Sequence, residues 1–182
     1  MQIVRDITTT VEPTATIVTL QEAKDYLRVD YNEDDTLIQN LIDTARIRLE
    51  QYAGVAMTAR TLQVVAYVDY FIELPYFPIN NITKVEYWNQ TNWVEITSPG
   101  GYVVLGTTTK KVQMVSPLCS EYRFTYTCGY TDTPESMKTA ILKMVGDLYE
   151  YRESSVEATK PSANLTTAYE LMKPYKRINL IF

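Results

Sequence analysis

Between Thr19 and Gly54 the hydrophobic positions recur three and four residues apart and are interrupted once by acids, which predicts a short helix, an acidic turn and a longer helix. Thr19 followed by Glu22 is a capping box, so the first helix should start at Leu20, with Leu20, Ala23, Tyr26 and Leu27 as its buried stripe. Lys24, Asp25 and Arg28 are left for solvent, and Val29 should end the helix. Asp30, Asn32, Glu33, Asp34 and Asp35 then supply acceptors and negative charge at the next helix start, where free amides and the helix dipole favour both. The stripe resumes after Leu37 as Ile38, Leu41, Ile42, Ala45, Leu49 and Tyr52, and Gly54 stands where a left-handed C-terminal residue is wanted.

From Thr61 to Tyr130 the period changes to two, with Val, Ile, Thr, Tyr and Trp residues suited to strands. Leu62, Val64, Ala66 and Val68 alternate along one strand, Phe71 to Leu74 continue or follow it, and Pro75 and Pro78 force a break. Ile82 to Trp88 and Trp93 to Ile96 flank Asn89-Gln90-Thr91-Asn92, a hairpin turn by composition. Tyr102 to Leu105 and Lys111 to Val115 should pair around Gly106. Tyr122, Phe124, Tyr126 and Cys128 alternate with Arg123, Thr125 and Thr127 on the last strand. Thr133-Pro134 then opens a third helix whose stripe is Met137, Ala140, Ile141, Met144, Val145 and Leu148; Gly146 inside it suggests close backbone approach by a neighbouring helix.

The expected fold class is α+β: an N-terminal helical pair and a long C-terminal helix form a helical core, with an inserted antiparallel β-region and a C-terminal arm. Its parts are an N-terminal extension (1–18, Thr-rich and β-leaning), a core (19–152, helices about 19–28, 34–53 and 134–152, β-region about 61–129), and a linker, short helix and arm (153–182). The short helix runs from Leu165 to Met172 and is closed by Pro174. Beyond it, Lys173, Tyr175, Lys176, Arg177, Ile178, Leu180, Ile181 and Phe182 form a basic, apolar tail that either folds back or binds a partner.

Chemistry is sparse. With no histidine among 182 residues the commonest general base and zinc ligand are missing, and there is no phosphate loop or nucleophile elbow. Asp30, Asn32 and Asp34 match the first alternate positions of a calcium loop, yet Asp35 stands where its turn needs Gly and Leu41 where it needs a bidentate Glu. Asp69, Glu73 and Glu86 could face a cleft, but nothing accompanies them as nucleophile or metal set. No catalytic residue, metal or cofactor is therefore assigned. Trp88, Trp93, Tyr87 and Tyr102 could instead form an exposed aromatic face for carbohydrate or protein. A net charge of −5 argues against gripping nucleic acid. Cys119 and Cys128 read as small core or edge residues, and the absence of a bilayer-length apolar run or signal-peptide pattern leads us to expect a cytosolic product without membrane attachment.

The segment TLQEAKDYLRVDYNEDDTLIQNLIDTARIRLEQYAG resembles the opening of the head-to-tail connector proteins of long-tailed bacteriophages, also called adaptor or head-completion proteins. Gly129-Tyr130, the helix start at Pro134, Tyr149-Glu150-x-Arg152-Glu153 and Pro174-Tyr175 fall where that family has them, and ELPYFPINNITKVEYW is similar to its insert. The likeness covers roughly Thr19 to Arg177.

That resemblance implies a non-enzymatic virion protein, made in the host cytoplasm, that assembles as a homo-oligomeric ring, commonly of twelve copies, beneath the portal protein. It would join head to tail, meet a tail-side neck protein, and let genomic DNA pass through its lumen without specific binding. The C-terminal residues Lys173 to Phe182 would dock on the portal. Two alternatives remain: another neck or tail-completion ring protein, and the β-rich binding module.

Overall fold

A computed structural model describes residues 2–13, 15–107, 109–115, 120–150 and 163–176. The described residues contain eight strands, four α-helices and one 3-10 turn, grouped in two compact units. One unit comprises residues 1–15 and 58–131 and is built of strands; the other comprises 16–57 and 132–182 and is built of helices.

The strand unit holds a five-stranded antiparallel sheet in the order β1-β2-β8-β4-β5, made of Gln2–Val11, Arg60–Val68, Ser120–Cys128, Ile79–Trp88 and Trp93–Ile96. A second sheet has the order β3-β7-β6, made of Phe71–Glu73, Lys111–Met114 and Tyr102–Leu105. Register puts Leu62, Val64 and Ala66 opposite Tyr126, Phe124 and Tyr122, all buried, so the period-two pattern does bury one face. Ile72, Val112 and Met114 form the buried row of the smaller sheet. Each such side chain stabilises the fold by about 1.5–3 kcal/mol, so this region has a core of its own.

This corrects the expected fold class. Instead of a helical core carrying an inserted β-region, strands predominate, the helices are short, and no long C-terminal helix core is present in the described residues. The physical reason lies in the two rows of alternating apolar residues, which need no helix as scaffold, and in β1. Residues 2–11, within the expected N-terminal extension, pair along nearly the whole of β2 from Gln2↔Val68 to Val11↔Thr61, with register shifts at Val4/Asp6 and Thr9/Val11. Phe71–Glu73 belongs to the second sheet rather than continuing β2. The Asn89 turn is as expected: Asn89 Oδ1 accepts from the Thr91 and Asn92 amides at 3.0 and 2.7 Å, joining β4 to β5.

In the helical unit α1 is Leu20–Leu27, α2 Asp35–Ala53, α3 Glu135–Glu150 and α4 Ala163–Met172, followed by a 3-10 turn at Lys173–Tyr175. The capping box is present: the Glu22 amide donates to Thr19 Oγ1, and Glu22 Oε2 accepts from the Thr19 amide. Arg28, left-handed at φ 57°, closes α1, and the Val29 amide donates back to the Lys24 carbonyl. Gly54 closes α2 at φ 70°. Ile38, Ile42, Ala45 and Leu49 are buried, as are Met137, Ala140, Ile141, Met144 and Val145, so both predicted stripes face the core.

Two stripe assignments fail on α1. Tyr26 is exposed, whereas Lys24 is buried, with its Nζ 2.6 Å from Asp35 Oδ1 and 2.8 Å from Asn32 Oδ1. The acidic turn thus binds an ammonium from its own chain. Asp34 occupies the N-cap position of α2 without making a side-chain cap bond; its carboxylate accepts from Tyr149 Oη of α3 at 2.6 Å. The Thr133 hydroxyl, just before α3, donates to the Met57 carbonyl at 2.9 Å. At Gly146 a Cβ would stand 3.2 Å from the Tyr26 ring, so the close neighbour is an α1 side chain, not a helix backbone.

Candidate functional site

Of the tail residues, Lys173, Tyr175 and Lys176 lie within the described structure, and Arg177, Ile178, Leu180, Ile181 and Phe182 lie outside it. Ala168 and Met172, one helical turn apart, are buried and hold α4 to the unit, where it packs on α3 and α2. Pro174 then tightens the chain into the 3-10 turn. Tyr169 of α4 meets Tyr52 of α2 with ring centroids 4.6 Å apart and planes tilted by 50°. Lys176 Nζ lies 4.4 Å from the centroid of the same Tyr52 ring, within cation–π range. Tyr175 Oη is 2.7 Å from Ser136 Oγ on α3, and Lys173 pairs with Glu170 at 2.5 Å. That ion pair holds the Lys173 ammonium above its usual pKa range, through the hydrogen bond to Glu170 first. Tyr175 and Lys176 are therefore tied to α3 and α2, while Lys173 pairs with Glu170 three residues back in α4.

The other candidates do not assemble into a reaction site. Glu86 is buried and receives Arg123 Nε at 2.7 Å and Lys84 Nζ at 2.9 Å, which holds its carboxyl below the usual range, the Arg123 hydrogen bond being the larger cause. Glu73 pairs with Lys111 at 2.5 Å. The described residues contain no group of three or more His, Cys, Asp or Glu placed to hold a metal. Cys128 is buried at the end of β8, and Cys119 falls outside the described residues.

The four aromatics do not form one face. Trp88 and Trp93 are cross-strand neighbours, 5.3 Å between centroids, with the Arg123 guanidinium 4.6 Å over Trp93. Tyr87 pairs one residue out of phase with Trp88 and points to the opposite face, while Tyr102 is buried in the smaller sheet.

Sequence patterning did not single out the exposed apolar surface. The outermost strand β1 exposes Ile3, Val4, Ile7 and Val11, and the strand unit also exposes Tyr70, Phe71, Leu105 and Val115. The β-leaning composition of residues 2–11 was the available signal for the first. Long edge strands with exposed apolar side chains are natural pairing surfaces.

Residues 16–163 match the model of the head completion protein family. The chain belongs to that family. The sequence-based resemblance to head-to-tail connectors is thereby borne out, and the role is that of a neck or adaptor component between head and tail. No curated protein sequence matches this head completion protein. Its fold is similar to a chain from the neck of an empty GTA particle computed with C6 symmetry, with TM-score 0.78, 13% identity and coverage of 97% of this chain and 98% of the other. A chain in the virion of a native gene transfer agent particle gives 0.76 at 13% identity over 96% and 97%. A chain from the neck of the native particle computed with C12 symmetry gives 0.68 at 12% identity over 94% and 97%. At such identities the likeness is one of fold.

Proposed function

We propose that this head completion protein acts as one subunit of a ring, of twelve copies, beneath the portal protein at the capsid vertex, with a tail-side neck protein on its other face. The family match across residues 16–163 carries the reading, since it spans strands and helices alike. The ring is supported by the fold likeness to chains from necks computed with C6 and C12 symmetry. Contacts between subunits would be heterologous, because only unlike faces close into a large ring. The exposed apolar residues of β1 and around Phe71 are surface available for such contacts.

The subunit is made in the host cytoplasm, works without catalysis or cofactor, and lines a channel through which genomic DNA passes. A net charge of −5 suits a lumen that repels phosphates rather than holding them. The C-terminal segment, from Lys173 to Phe182, reaches the portal. Modest arms repeated around a ring give a tight joint.

DNA-filled heads prepared without this protein test the reading. Added purified protein should let them retain DNA and accept tails. Heads that join tails equally well without it would refute the proposal.

A further inference from the structure

The root of the C-terminal segment is held at two points on two different helices. The Lys176 ammonium sits over the Tyr52 ring of α2, itself packed on Tyr169, and the Tyr175 hydroxyl bonds Ser136 of α3. Pro174 between α4 and these contacts restricts the backbone where it would otherwise pivot. A flexible root would need none of this.

We propose that Tyr52, Ser136, Tyr175 and Lys176 form a latch that sets the direction in which the chain leaves the helical unit. Tyr175 and Lys176 are then positioning residues. This rests on the reading that the C-terminal segment docks on the portal. The physical gain is preorganisation: an arm whose first residues are fixed loses less freedom on binding, and every arm of a ring is presented at the same angle. Lys176 is exposed, yet its ammonium lies over the Tyr52 ring of its own unit.

The full-length protein is used throughout, with attachment to isolated portal rings and melting temperature as readouts. Removing residues 177–182 should abolish attachment. Lys176→Ala and Tyr52→Leu should each weaken it about tenfold while the melting temperature stays within about 3 °C of the wild type. The double variant should be no weaker than either single one, because both break the same contact. Lys176→Arg, whose guanidinium also stacks on aromatic faces, should restore it. If Tyr52→Leu itself lowers the melting temperature further, Ser136→Ala takes its place and should weaken attachment similarly.

A neutral Tyr52→Leu or Ser136→Ala beside a damaging Lys176→Ala would mean that Lys176 touches the portal, and would overturn the latch. Neutral latch variants beside a damaging 177–182 truncation would overturn it too, leaving the docking arm intact. A harmless truncation would remove the arm reading itself.

Discussion

The buried Lys24 offers the sharpest energetic test of the helical unit. Its side chain is 7% exposed while that of Asp35, its partner at 2.6 Å, is 33% exposed. Breaking a fully buried pair costs about 3–5 kcal/mol, mostly from the charge left behind. Asp35→Ala strands the deeper charge, though Asn32 Oδ1 at 2.8 Å still accepts from it. It also removes an acid from the first turn of α2, a loss of about 0.3–1 kcal/mol. Together these give a cost of about 3 kcal/mol. Lys24→Met leaves only Asp35, which keeps water and the helix dipole, so about 1 kcal/mol is expected. The double variant Lys24→Met/Asp35→Leu strands neither charge and should lie within about 1 kcal/mol of wild type.

Urea unfolding followed by the helical circular dichroism signal measures all three. At about 2–4 °C per kcal/mol for a chain of this size, Asp35→Ala should melt about 6–12 °C low. The reasoning fails if Asp35→Ala costs less than 0.5 kcal/mol or if Lys24→Met is the more damaging of the two, by analogy with the limit for ordinary surface changes of about ±0.5 kcal/mol.

Gly129, at φ 108°, has no room for a Cβ, which would run into the Thr58 carbonyl and the Ala59 amide, so Gly129→Ala should cost about 3 kcal/mol or more in a denaturation titration. Gly54, at φ 70° in open space, is the control; Gly54→Ala should cost about 1 kcal/mol. For Glu86 the folded pKa is lowered, so its stabilising contribution is present above the unfolded value near pH 4.3 and is lost as pH falls through the folded value. Glu86→Gln should therefore be less stable than wild type by about 1–3 kcal/mol at pH 7 and converge with it in acid, as acid-titrated unfolding would register. Tyr149→Phe removes the donor to Asp34 and should lower stability by about 1–2 kcal/mol without changing the helical content, which circular dichroism checks.

Individual elements were legible where one residue type answers one local need. Thr19 and Glu22 cap α1 because both partners lie in one turn, and Asn89 makes the β4–β5 turn through its own side chain. The same holds for Gly54, whose left-handed conformation suits glycine. Lys24 and Tyr26 were misplaced because the helical stripe records average polarity, while the acidic turn that folds over Lys24 is a tertiary partner. Asp34 failed as a cap for a related reason, since Tyr149, far along the chain, competes for its carboxylate. The balance between helices and strands was misjudged because nothing local in residues 2–11 says that they will pair with β2. At the tail, composition marked Lys173, Tyr175 and Lys176 as sticky but could not tell contacts within the chain from contacts with a partner.

Rotationally averaged electron micrographs of the purified protein bound to isolated portal rings test the central claim most directly. The account predicts a closed ring of this protein, coaxial with the portal and open at its centre. Single subunits scattered on the portal, or a protein that stays monomeric with portal present, would contradict it.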